Sequence, residues 1–297
     1  MTAYQPLAPV PVTAGAPAAG GPAPLGHRGE HGGAAHALDA TFSARSPLLA
    51  AYLPAGYPDP ATSLDLLHQL AASADILEVG WPYTEPMMDG PVIQQAGAQA
   101  LAAGFTVRYL METVRSLASV THVLVMGYYQ PLYRYGLRRT AEELAAAGAA
   151  GVILPDLNID EAAPWLAEAR RVGLHTVFVV APTASDERLR RIAAAGGGML
   201  YAPATAGVTG TTGTLSVSLL PFVRRLRALT SLPVGAGIGV SRPEQAAHIR
   251  QFADAAIVGS AFIRAVRDTP GRAGIAAAAQ LAGELRQALR APAVTAA

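Results

Sequence analysis

The sequence predicts an α/β protein: a closed (β/α)8 TIM barrel with extra short helices behind a disordered N-terminal arm. Three observations predict it. Eight short apolar runs alternate with amphipathic stretches of helical period across residues 47–290, and strands that alternate with helices pair in parallel. Eight such units fit a closed barrel better than an open doubly wound sheet. No G-x-G-x-x-G opens the first unit, which disfavours a dinucleotide-binding fold.

Composition bounds the class. The chain has 297 residues, 51% hydrophobic and 14% charged, enough for one large domain with a deep core. A net charge of +1 offers no electrostatic basis for binding nucleic acid or an anionic membrane. There is no cysteine, so disulfides, zinc thiolate sites and cysteine nucleophiles are excluded. No apolar run approaches the roughly 20 residues of a membrane span. The N-terminus lacks the basic start and continuous apolar middle of a signal peptide. The expectation is a soluble, cytoplasmic protein.

Residues 1–46 are rich in Pro, Ala and Gly. Such a composition buries too little apolar surface to order itself and reads as a disordered arm. His27, His31 and His36 lie there on a Gly-rich segment without a supporting carboxylate or cysteine, which is a poor metal site. The barrel is expected over 47–290, and 291–297 as a frayed tail. The first strand is Leu48–Leu53, followed by the loop Pro54-Ala55-Gly56-Tyr57-Pro58 and a helix from about Asp59. Strand two is Asp75–Val79. A helix then runs from Pro91, which suits a first helical turn, to Ala103, and another follows Thr106. Strand three is His122–Met126, strand four Gly151–Leu154, strand five His175–Val180 and strand six Met199–Ala202. Strand seven is Leu232–Gly235 and strand eight Ala255–Val258. Amphipathic helices are expected at Thr140–Ala147, Asp160–Val172 and Asp186–Ala195, with an Ala-rich one over Gly274–Leu289.

The chemistry concentrates on Ala74–Pro91, ADILEVGWPYTEPMMDGP. Glu78 sits near the end of a strand made of Ile, Leu and Val. Burying a carboxylate there costs free energy unless it finds partners or shifts its pKa. Asp89 lies at the far end of the loop that follows. A rigid strand-end carboxylate and a loop carboxylate can face one ligand as general acid and base. The bland alternative is a structural ion pair for Glu78 and a turn-forming Asp-Gly for Asp89. Trp81 and Met87-Met88 can wall an aromatic ligand or simply pack.

In such a barrel chemistry sits on the loops after the strands. Tyr128 and Gln130 follow strand three, Asp156 follows strand four, and Tyr201 ends strand six. Gly207-Val208-Thr209-Gly210 comes next. Gly235-Ala236-Gly237-Ile238-Gly239 follows strand seven, and Gly259-Ser260 follows strand eight just before a helix. Glycines in those last two loops are a phosphate signal. Without Cβ atoms, backbone amides can turn to an anion, and a helix N-terminus adds its dipole. The plainer reading is tight turns. Ser260 can add a hydroxyl, whereas Ser241 reads as a helix N-cap. His68, His122, His175 and His248 show no metal spacing, and no G-x-S-x-G elbow is present.

These motifs resemble the tryptophan synthase α subunit family across roughly Pro47–Arg267. ILEVGWPYTEPMMDGPVIQ is similar to its signature around two catalytic carboxylates. YLPAGYPDP, LVMGYYQPLYRYG, LPDLNIDEA, YAPATAGVTGTTG, GAGIGVSRPEQA and IVGSAFIR follow in family order. The resemblance implies an enzyme that cleaves indole-3-glycerol phosphate to indole and glyceraldehyde 3-phosphate. It implies no cofactor on this chain, and a β-subunit partner that carries pyridoxal phosphate in an α2β2 heterotetramer. By motif position Glu78 matches the general acid/base and Asp89 the carboxylate that engages the indole N–H. Tyr201 matches a tyrosine beside the substrate, and Tyr128, after strand three, is a further substrate-binding candidate. Gly210, Gly237, Gly239, Gly259 and Ser260 match phosphate-loop positions, and Thr209 a closing loop.

All 22 basic residues are arginine, so a Schiff-base aldolase mechanism is excluded. The chain departs from the family pattern at Glu85, Gln130, Thr205-Ala206 and Thr211-Thr212. The resemblance implies that these positions fall near the mouth or the partner surface, and both carboxylates are retained. Alternatives are a stand-alone lyase releasing indole for a secondary pathway and a weakly active partner that activates a β subunit. Another phosphosugar-barrel enzyme such as an isomerase is a further one.

Overall fold

The computed structural model describes residues 33–44, 47–203, 219–237 and 239–291. Its eight strands form one closed barrel in sequence order, all neighbours parallel and β8 returning to β1. Helix α1 (Gly33–Ala44) precedes β1 (Leu48–Pro54), α2 (Pro60–Ala71) and β2 (Ile76–Gly80). Then come α3 (Pro91–Ala102), α4 (Val107–Ala118), β3 (His122–Met126), α5 (Tyr129–Tyr135) and α6 (Leu137–Ala147). β4 (Gly151–Leu154), α7 (Ala163–Arg171), β5 (His175–Val179), α8 (Asp186–Ala195) and β6 (Leu200–Pro203) follow. The last part holds α9 (Leu219–Arg227), β7 (Val234–Gly237), α10 (Pro243–Ile249), β8 (Ala255–Val258), α11 (Ser260–Asp268) and α12 (Arg272–Arg290).

The strands are apolar because both faces are covered. One set of side chains fills the barrel, including Leu48, Ala50, Ile76, Leu124, Ile153, Val177 and Ile257. The alternate set packs outward against the helices, including Leu49, Leu77, Val125, Phe178 and Val258. Side chains alternate along a strand, so Glu78 shares the inward face of Ile76. Across the β1–β2 ladder Tyr52 is paired with Glu78. Local caps set the helix starts. Asp59, Thr106 and Ser185 accept amides from Thr62, Tyr109 and Arg188 at the openings of α2, α4 and α8.

Three expectations need correction. Residues 33–44, assigned to the disordered arm, form helix α1. Its Leu38 and Phe42, one turn apart, are 0% and 7% exposed and join the barrel-filling cluster. Burying each is worth about 1.5–3 kcal/mol, which local composition does not reveal. The first residues of β3 and β5 anchor the helix further. His122 Nε2 meets Thr41 Oγ1 at 2.7 Å, and His175 Nε2 meets Asp39 Oδ1 at 2.9 Å. Strand seven lies two residues later than expected, at Val234–Gly237, because Leu232 still belongs to a turn in which its amide bonds Thr230 Oγ1. Gly235 and Gly237 are therefore strand residues. Finally, Ser241 is not the N-cap of α10. Arg242 holds that position, and the Gln245 carboxamide accepts the amides of Ser241 and Arg242 at 2.8 and 3.1 Å.

Thr209 and Gly210 lie outside the described residues. Among the described residues no helix is long and apolar enough to cross a membrane.

Candidate active site

At the C-terminal end of the strands the barrel opens into a cavity of about 450 Å³. Its walls are mostly apolar, from Ile93, Met126, Val179, Val240 and Ile257, with Met87 and Met88 at the rim. Glu78, Asp89, Tyr52, Tyr201, Thr183 and Ser260 are its polar lining residues.

Glu78 is 1% exposed, and neither of its carboxylate oxygens has a hydrogen-bond partner among the described residues. Burial alone pushes its pKa up to about 8. A buried polar group left unsatisfied in a folded core calls for an explanation, and here the group faces a cavity. Asp89, 5% exposed, is raised to about 7 by burial, against the opposing effect of a hydrogen bond from the Tyr128 hydroxyl. The same hydroxyl accepts the Met88 amide at 2.9 Å. Tyr201 ionises well above the ordinary tyrosine range, through burial and then the charges of Glu78 and Asp89.

Glycines after β7 and β8 form another part of the lining. Gly239, at φ +80°, takes a conformation that favours glycine. Gly259 precedes α11, whose first residue, Ser260, also lines the cavity. The unpaired amides of a helix start and its dipole suit an anion. Gly259 serves packing as well: a methyl group there would lie 2.9 Å from the Tyr52 ring.

The predicted residues thus divide. Glu78, Asp89, Tyr201, Gly239, Gly259 and Ser260 line one cavity. Tyr128 does not line it and instead clamps the loop that carries Asp89. Gly237 does not line it either. A methyl group on Gly237 would sit 2.2 Å from the Tyr201 hydroxyl, so this glycine makes room for Tyr201. Trp81 packs edge-to-face on Tyr135 at 5.9 Å, away from the cavity. Asp156 accepts the Tyr129 amide at the start of α5. Sequence reasoning missed Tyr52, Met126 and Thr183. Tyr52 was findable, because two-residue alternation from Leu48 and Ala50 turns it inward.

The sequence and the fold both match known proteins. The profile described as tryptophan synthase alpha chain matches residues 39–290. The tryptophan synthase alpha chain of Streptomyces avermitilis is 47% identical over 250 residues, 83% of this chain and 90% of that protein. Its counterpart from Streptomyces coelicolor is 44% identical over 257 residues, 85% and 95% of the two chains. Tryptophan synthase from M. tuberculosis in its aminoacrylate-bound form superposes with a TM-score of 0.77 at 38% identity, covering 85% of this chain and 99% of that one. The alpha chain from Legionella pneumophila gives 0.77 at 31% identity, covering 86% and 96%. With the profile spanning most of the barrel and both relatives matched nearly end to end, the chain belongs to the tryptophan synthase alpha chain family.

Proposed function

We propose that Glu78 and Asp89 divide the chemistry by which this chain cleaves indole-3-glycerol phosphate into indole and glyceraldehyde 3-phosphate. The chain is a carbon–carbon lyase of tryptophan biosynthesis, as its family membership makes it. The bond that breaks joins indole C3 to the carbinol carbon. C3 gains a proton, the carbinol hydroxyl loses one, and the bonding pair returns to the ring as the carbinol becomes an aldehyde. Glu78 is suited to both proton transfers. Its raised pKa lets it exchange protons near neutrality, where general catalysis is most effective. Asp89 is suited to the ring N–H, where positive charge develops once C3 is protonated. Fixed opposite charge in a dry cavity is a large catalytic contribution. Gly239, Gly259, Ser260 and the start of α11 are suited to the phosphate.

The observation that carries this reading is Glu78: a buried carboxylate, neither oxygen hydrogen-bonded among the described residues, facing a mostly apolar cavity that Gly239, Gly259 and Ser260 also line. The partner we propose is a β subunit bearing pyridoxal phosphate, in an α2β2 assembly. Met87, Met88 and Tyr133, exposed on loops and helix at the cavity end, support a docked partner there. The test is to incubate the purified chain with indole-3-glycerol phosphate, with and without a β subunit, and follow indole. Wild-type chain should release indole and Glu78→Gln should not. Full indole release by that variant would refute the assignment.

A further inference from the structure

We propose that Tyr52 is a further positioning residue of this site, its hydroxyl bonding the chain hydroxyls of the substrate and turning the one beside the ring toward Glu78. The inference rests on the function proposed above, but it comes from where Tyr52 stands. Strand β1 lies between β8 and β2 in the barrel. The glycine-rich rim at Gly259 and Ser260 follows β8, and Glu78 is on β2. A ligand with its anion at that rim and its ring between Glu78 and Asp89 must run the intervening carbon chain past the mouth of β1. Tyr52 is the inward side chain there, in register with Glu78, and it lines the cavity.

Its position is determined by two glycines. A methyl group on Gly80 would lie 2.7 Å from the Tyr52 hydroxyl, and one on Gly259 would lie 2.9 Å from the ring. Both neighbouring strands thus leave a slot that the phenol fills, with the hydroxyl on the β2 side. Phenylalanine would fill the same slot without burying a hydroxyl. Burying one is unfavourable unless it meets a polar partner. Burial, and then the charges of Asp89, Tyr128, Glu78 and Tyr201, raise the ionisation of this phenol well above its ordinary range. It therefore stays a neutral donor throughout the working pH range.

The test uses Tyr52→Phe in the purified full-length chain, with two probes. Indole-3-glycerol phosphate carries the chain hydroxyls, and indole-3-propanol phosphate keeps the ring and phosphate without them. The expected result is a fall in kcat/KM for the first of about 3- to 10-fold, the size of one neutral hydrogen bond. Affinity for the second should stay within about twofold, because the ring still fills its slot. That retained affinity also shows that the variant is folded. Unchanged kcat/KM would overturn the proposal, as would an equal loss of affinity for both probes, since that is the mark of ring packing alone. Glu78→Gln is assayed alongside. If it is inactive while Tyr52→Phe matches wild type, only the role of Tyr52 falls. If it keeps full turnover, the parent reading falls and takes this one with it.

Discussion

The Tyr128 hydroxyl donates to the Asp89 carboxylate while accepting the Met88 amide at 2.9 Å, so one phenol from the β3 end pins two consecutive residues of the β2 loop. Removing it should loosen the loop and leave Asp89 harder to ionise, since that hydrogen bond lowers its pKa. Tyr128→Phe is expected to reduce kcat/KM about tenfold, on the scale of one to two lost hydrogen bonds. The acid limb of its pH profile should move to higher pH. A profile superimposable on wild type would show that the clamp does not govern Asp89.

The pH dependence of the reaction follows from the same two carboxylates. Asp89 is held up at about 7, and the role proposed for it at the ring N–H requires its charged form. For the free enzyme, kcat/KM should therefore rise with pH through roughly 6–8. Steady-state rates in a series of overlapping buffers check this. A flat response across that window would mean that Asp89 is already ionised well below it.

Stability should show the opposite slope. Glu78 has a folded pKa of about 8, above its ordinary 4.5. Protons are then held more tightly in the folded state, so stability is greatest below pH 4.5 as far as this group is concerned. It falls as pH rises to about 8 and levels off beyond. Glu78→Gln, neutral at every pH, should remove that fall. Relative to wild type it should gain on the order of 1–4 kcal/mol between pH 5 and pH 8.5 in urea unfolding. Parallel pH curves for the two proteins would rule out an uncompensated buried carboxylate.

The base of the barrel offers a control. Phe42→Ala empties a site inside the interior cluster and should cost about 3 kcal/mol. It lies at the other end of the strands from Glu78, so KM should be unaffected. Thermal melts and steady-state kinetics on one preparation decide it. Unchanged stability would show that α1 does not close the barrel floor.

Gly237→Ala places a methyl group 2.2 Å from the Tyr201 hydroxyl. One of the two must shift, at a cost of about 1–3 kcal/mol. Tyr201 lines the cavity beside Glu78, so kcat/KM should fall more than tenfold at the same time, on the scale of a misplaced site. Wild-type kinetics in this variant would mean that Tyr201 is free to move without consequence.

Much was legible without coordinates. The bounds of β3, β4 and β8 match the apolar runs as read, because a strand covered on both faces is apolar throughout and stops where turn residues begin. Glu78 stood out for the same reason: it is the one charge within such a run in β2. Other features needed the third dimension. Gly33–Ala44 looked like part of an arm because its few apolar residues are worth little until Leu38 and Phe42 meet the open floor of the barrel.

The sequence by itself determined the alternation of strands and helices, the two carboxylates and the glycines of the last loops, since each rests on residue type and spacing along the chain. Only the tertiary structure decided which residues touch the cavity. It set Tyr128 and Gly237 behind the wall and put Tyr52, which alternation alone turns inward, beside Glu78 in the cavity lining. Residues far apart in the chain meet through barrel closure and strand register, and neither is written in local sequence.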